Sequence, residues 1–188
     1  MSWTTGAGDT PGIWTGVSVY GTGDSAVIAG GDANNGYLWY LNNIQPVCLL
    51  ENCDVLVEGD TKEHIYKNIT KITKEDRVIG FFTRKPVKIL EVIKRVHKIK
   101  DLESTNVPYV IKKSTFGENI PDKNIHLSGH HRLIIRNGDG TFTGVQAFKL
   151  GLSKLEVDTE TVTYFHIRLE ITQEGLIVNN LPVESCQD

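Results

Sequence analysis

The chain has 188 residues, a formal net charge of −3 and 39% hydrophobic residues. That is enough for one domain with a buried core plus a smaller appendage, and the near-neutral charge gives no reason to expect nucleic acid or an anionic membrane surface as a partner. No apolar run approaches the roughly 20 residues of a membrane span, and the opening residues lack the basic flank and apolar stretch of a secretory signal.

The distribution of residue types divides the chain. No Lys or Arg precedes Lys62, whereas Trp3, Trp14 and Trp39 all precede Cys48. A step of this kind marks a junction between two modules, read here as residues 1–47 and 48–188. In the first module, residues 14–20, 25–30 and 36–41 are rich in Val, Ile and aromatics, with Gly-rich turns between them. They predict a three-stranded β-meander. Its Trp14-Thr15 and Tyr37-Leu38-Trp39-Tyr40 signatures resemble one blade of a repeat β-propeller. A lone blade cannot bury both of its faces, so this segment would need a protein partner.

Beyond Cys48 the pattern predicts strands over residues 55–57, 77–83, 87–96, 109–112, 131–136 and 164–171, separated by Gly, Pro, Asn and Asp. Short helices are expected within 61–72 and 144–151. The basic stretch from Lys85 to Lys100 alternates with Val, Ile and Leu, as a strand with one wet face does, and nucleic-acid binding does not follow from it. The second module therefore reads as all-β, with long strands and little helix.

Three features carry possible chemistry. Cys48 follows Pro46-Val47 and precedes a strand. Its thiol could attack the Val47 carbonyl and exchange the peptide bond for a thioester, which is uphill without a polarised bond and an acid for the departing amine; the alternative is a small buried hydrophobe. In His126-Leu-Ser128-Gly-His130-His131, a tight turn would aim Ser128 and His131 at one point, able to hold a scissile carbonyl and pass a proton; the alternative is a set of exposed turn residues. His166 lies on an alternating strand, with Phe165 and Ile167 toward the core and Tyr164 and Arg168 on its own face. It is either a surface histidine or a catalytic one. Cys48, Cys53 and Cys186 are too few for a disulfide framework and suit a reducing intracellular compartment. Zinc held by Cys48, Cys53 and the histidines lacks the usual ligand spacing, so no metal or cofactor is expected. A Ser-His-Asp hydrolase lacks its G-x-S-x-G elbow.

From Cys48 onward the sequence resembles the Hint family, the fold shared by inteins and Hedgehog C-terminal domains, in its stand-alone bacterial branch. Cys48-Leu-Leu-Glu-Asn-Cys53-Asp-Val-Leu-Val57 is similar to the family's opening strand, and Ile72-Thr-Lys-Glu-Asp76-Arg-Val78 to its L-x-x-G-D-x-V segment. The stretch from Phe116 through Pro121 to Ser128-Gly-His-His131 resembles G-x-x-x-P-x-x-D-L-x-L-S-x-x-H-x-L. Tyr164-Phe-His166-Ile-Arg-Leu-Glu and Leu181-Pro-Val-Glu-Ser185 resemble the closing strands.

The resemblance implies a horseshoe-like, pseudo-twofold all-β fold that brings the chain ends together. It further implies self-cleavage at Val47–Cys48: Cys48 as nucleophile of an N–S acyl shift, Ser128 and His131 in the T-x-x-H position, and His166 tuning the thiol or assisting thioester breakdown. The substrate would be the chain's own N-terminal segment, with no membrane or nucleic-acid partner. Four departures stand out. Asn52 replaces Gly, Cys53 replaces Thr, Gln173 lies near a customary His, and Glu184-Ser185 replaces the His-Asn ending that splicing requires. Cys186 has the position of a downstream nucleophile. These departures would also suit an inactive Hint fold kept as a structural or interaction module.

Overall fold

The computed structural model describes residues 48–185. The predicted meander of residues 1–47 and the position of Cys186 lie outside them. Twelve strands follow in chain order: β1 (Asp54–Glu58), β2 (His64–Asn68), β3 (Arg77–Ile79), β4 (Pro86–Lys98), β5 (Pro108–Ile111), β6 (Ile125–Ser128), β7 (Arg132–Arg136), β8 (Phe142–Gln146), β9 (Ser153–Lys154), β10 (Thr161–Leu169), β11 (Gly175–Val178) and β12 (Leu181–Glu184). The helical elements among the described residues are three short 3-10 turns. The all-β expectation therefore holds, and every strand pairing is antiparallel.

One sheet runs in the order β10-β4-β3-β1-β11-β12-β7-β8, with β2 paired to β1; the other runs β6-β5-β9. The two sheets are stitched together by residues 48–50. Leu49 bridges Leu127 on β6 and Phe165 on β10. Its N–H donates to the Phe165 carbonyl at 3.0 Å and its carbonyl accepts from Phe165 N–H at 2.8 Å, while Leu50 N–H reaches the His126 carbonyl at 3.0 Å. The main core lies beneath this seam, where Leu49, Leu127, Phe165 and Ile167 meet Val55, Val57, Ile89 and Val178.

Local sequence explains most elements. In β1, Val55 and Val57 face the core as alternation requires, and Leu56 on the other face packs on a second cluster built from Phe81, Phe82, Ile134 and Ile177. In β4 the expected alternation holds from Val87 to Leu90, but the register shift opposite Arg168/Leu169 then breaks it, so that Lys94 pairs with Phe165 and lies on the face of Ile89 rather than that of Lys88.

Both expected helices fail. Residues 61–72 form β2 and a 3-10 turn at Ile69–Lys71. The five residues of β2 each pair with β1, so cross-strand pairing outweighs the local helix preference. Asn68 then caps the 3-10 turn by accepting from Thr70 N–H. Residues 144–151 continue β8 to Gln146 before a single 3-10 turn at Ala147–Leu150, which Gly151 stops in the left-handed region at φ 66°. The strand expected over 77–83 ends at Ile79, because Gly80 N–H bonds the Lys85 carbonyl and Arg84 N–H returns to the Gly80 carbonyl. That reversal places Phe81 and Phe82 in the second cluster. The strand expected to reach residue 171 stops at Leu169, after a register shift at Arg168/Leu169.

Leu49 is 1% exposed in the main core, whereas Val96 is 62% exposed on β4. Leu49→Ala is expected to cost about 2–5 kcal/mol, and Val96→Ala within roughly 0.5 kcal/mol of zero. Urea unfolding of the two variants measures the contrast.

Candidate active site

Cys48 sits where the seam, β6 and β10 converge, and it is fully buried. Ser128 holds it at two points. Ser128 N–H donates to the Cys48 carbonyl at 2.9 Å, and Cys48 N–H donates to Ser128 Oγ at 3.0 Å. The amide nitrogen so held is the nitrogen of the Val47–Cys48 bond. On the opposite side His166 Nε2 stands 3.2 Å from Cys48 Sγ, within hydrogen-bond distance for a sulfur.

Ser128 and His131 share one tight turn, closed by His131 N–H to the Ser128 carbonyl at 3.0 Å. The turn needs Gly129 because a Cβ there would fall 2.0 Å from the Thr105 backbone carbonyl oxygen. His131 is buried, and its Nε2 lies 3.2 Å from the Glu184 carbonyl. A carbonyl only accepts, so Nε2 carries the proton and Nδ1 keeps its lone pair. Nδ1 makes no hydrogen bond of ordinary geometry, although the Cys48 backbone lies close enough to favour the charged ring. Burial outweighs that help and pushes the His131 pKa down to about 4. The ring is therefore neutral near pH 7, and its rare protonated form is a strong acid.

The end of β12 completes the wall. Glu184 accepts from Arg132 N–H at 2.9 Å and from Arg132 Nη1 at 2.8 Å. Burial raises the Glu184 pKa and the Arg132 guanidinium opposes it. Ser185 Oγ–H donates to the Glu174 carbonyl at 2.7 Å. Thus Glu184, near one end of the described chain, and Cys48, at the other, meet across His131.

Cys48, Ser128, His131 and His166, all singled out in the sequence, come together. The alternative of exposed turn residues fails for Ser128 and His131, both buried, and the surface alternative fails for His166, which is 5% exposed. The reason is a small apolar cluster of Cys48, Leu50, Val162 and Tyr164 on the second face of β10, so both faces of that strand are covered. Tyr164 belongs to this neighbourhood: its hydroxyl donates to the Asn106 carbonyl at 2.9 Å. Sequence reasoning placed Tyr164 beside His166 but had no signal for Asn106, which reaches the site from a loop.

Cys53 is a packing residue. Its thiol donates to the His126 carbonyl at 3.3 Å, and burial pushes its pKa up to about 12, so it supplies no thiolate near neutrality. Asn52 clamps the same corner, with Nδ2–H donating to the Asn124 carbonyl and Oδ1 accepting from His126 N–H. Among the described residues no group of three or more His, Cys, Asp or Glu is placed to hold a metal ion.

The family model of the Hint domain matches residues 52–188, most of the chain, and the chain belongs to that family. Neither a curated protein nor a solved structure matches it.

The depressed His131 pKa makes stability pH-dependent. Between pH 6.5 and about 4 the unfolded chain binds a proton at residue 131 that the folded chain refuses. The contribution is fully present above pH 6.5 and falls by about 3 kcal/mol as pH drops through that window. Burial shifts His126 and His130 the same way, whereas Glu184, with its pKa raised, acts in the opposite sense. In a Cys48→Ala background, which removes the candidate nucleophile, His131→Gln should flatten the slope of urea midpoint against pH between pH 4 and 6.5.

Proposed function

We propose that this chain cleaves its own backbone at Val47–Cys48 through a thioester and releases residues 1–47 without splicing. The observation that carries this reading is the convergence on Cys48: Ser128 Oγ on its amide N–H, His166 Nε2 at its sulfur and the buried His131 against its backbone. In the first step His166 accepts the thiol proton as Sγ attacks the Val47 carbonyl carbon. Ser128 holds the amide nitrogen in place while the carbon becomes tetrahedral. As the C–N bond breaks, the minority form of His131 that carries a proton on Nδ1 gives it to the nitrogen of Cys48, and the thiol proton taken by His166 replaces it by way of solvent, so both rings end as they began. An acid with a pKa of about 4 suits so weak a base, because a protonated ring transfers its proton readily. The products are a Val47 thioester on Sγ and a free Cys48 α-amine, with no atom gained or lost.

Water then hydrolyses the thioester and regenerates the thiol. Val47 is β-branched, and crowding at its carbonyl should slow this second step. The end of β12 supports release over splicing. Splicing-type cyclisation needs an asparagine side chain at the closing position, where this chain has Ser185, its hydroxyl on the Glu174 carbonyl. Its neighbour Glu184 is committed to Arg132.

Intact-mass spectrometry of freshly made wild-type and Cys48→Ala chains, with and without millimolar dithiothreitol, tests the proposal. A fragment starting at Cys48, accelerated by thiol and seen only in wild type, is the expected outcome. His131→Ala should slow its formation by a factor on the order of 10²–10⁴. One uncleaved mass under every condition would point instead to a Hint fold retained for structure or interaction, and cleavage in Cys48→Ala would exclude this cysteine as the nucleophile.

A further inference from the structure

The amide that the acyl shift would break is anchored at its nitrogen, and that anchor fixes the direction of its oxygen. Cys48 N–H is aimed at Ser128 Oγ, 3.0 Å away at the end of β6. A trans peptide bond is planar, and its oxygen lies on the opposite side from its N–H. The carbonyl that shares this nitrogen is that of Val47. Its oxygen is directed away from β6 and toward β10, the strand on the other flank of the seam.

The register of β10 identifies the group that this oxygen meets. Leu49 exchanges both of its backbone bonds with Phe165, at 3.0 and 2.8 Å, so Phe165 turns its N–H and C=O to the seam and not to β4. Backbone groups alternate in direction along an antiparallel strand, and β10 pairs with β4 without a shift from Thr161 to Arg168. Ile167, two residues beyond Phe165, turns its N–H to the seam as well. The seam runs antiparallel to β10, so the residue two before Leu49 falls opposite Ile167, and that residue is Val47. Ile167 is 1% exposed, and a buried N–H requires an acceptor. The sequence suits an extended seam here. Val47 is β-branched, and Pro46, with no N–H to donate, falls where β6 has already ended at Ser128.

We propose that the backbone N–H of Ile167 binds the scissile oxygen of Val47 and stabilises the charge it gains in the acyl shift, an inference that rests on the thioester reading above. The Cys48 sulfur stands on the face of β10 that carries His166. It approaches the carbonyl carbon across the plane of the peptide, while Ile167 holds the oxygen within that plane. As the Sγ–C bond forms, the carbonyl π pair moves onto oxygen, and a hydrogen bond to a charged oxygen is roughly twice as strong as one to a neutral carbonyl. When the C–N bond breaks, the pair returns to the carbonyl. Ile167 gives up no proton at any stage. The scissile amide is thus gripped by both sheets, at its nitrogen by Ser128 of β6 and at its oxygen by Ile167 of β10.

Two measurements on the full chain test this. In Cys48→Ala, which keeps the amide but forms no thioester, NMR should detect scalar coupling across the hydrogen bond, between the Ile167 amide nitrogen and the Val47 carbonyl carbon. Absence of that coupling would overturn the proposal, whatever the chain does in cleavage. With Cys48 intact, Ile167 is replaced by its 2-hydroxy acid analogue, which turns the N–H into an ester oxygen and keeps the side chain. Val47 hydroxamate, formed with hydroxylamine, should then appear more slowly by a factor on the order of 10². The same exchange at Val162, whose N–H faces β4 by the same alternation, should lower the thermal midpoint and leave that rate unchanged. A folded Ile167 ester that forms hydroxamate at the wild-type rate would overturn the catalytic role, and so would equal slowing by both esters. A wild-type chain that forms no hydroxamate would overturn the acyl-shift reading and this role with it. The coupling in Cys48→Ala would still report whether the bond exists.

Discussion

Four backbone hydrogen bonds hold residues 48–50 as a third strand between β6 and β10, and the site depends on them. Leu49 exchanges two bonds with Phe165, Leu50 reaches His126, and Ser128 reaches the Cys48 carbonyl. Without this seam the small sheet and the large sheet would each present an open edge. With it, the core closes and Cys48 cannot move without breaking the ladder. Cys48 owes its burial and its register to the same bonds that make the two sheets one body. Fixing a residue inside a ladder removes the conformational freedom that an attack on the preceding carbonyl would otherwise have to lose.

Burial sets the chemistry of every group that reaches this seam. It lowers the proton affinity of His131 and raises that of Cys53, since in both cases the charged form is the one water would have stabilised. The outcomes differ because the partners differ. Cys53 faces a carbonyl and stays a thiol, whereas His131 lies against the Cys48 backbone and keeps one lone pair. Glu184 is the third case, a carboxylate that stays buried by pairing with Arg132 in two-point contact. Breaking either member of such a pair leaves an uncompensated charge, so the closing end of the chain is fixed against His131 at its main-chain carbonyl.

The loop between β4 and β5 bears on the same site from above. Its backbone occupies the space over Gly129, and Thr105 Oγ1 meets His130 Nε2 at 3.0 Å. The Ser128–His131 turn is therefore held from below by β6 and β7 and from above by this loop. A glycine is required at its second position by contact rather than by dihedral strain.

By itself the sequence determined the strand-rich class of the domain and the alternation of β1, and it singled out the four residues that the structure brings together around Cys48. These follow from two-residue periodicity and from short spacings such as that from Ser128 to His131, which local geometry turns directly into proximity. It missed β2 and most of β8, because their strand character comes from partners distant in sequence. It left His166 undecided, because alternation says which residues share a face but not whether that face is covered. Only the tertiary structure decided that it is, by laying Cys48, Leu50 and residues 99–107 over it. The same long-range closure joined Cys48 to Ser128, 80 positions away, and to His166, 118 positions away. It also brought Asn106 to Tyr164. Contacts of that range depend on how two sheets meet, and the local preferences of a chain carry no information about where they meet.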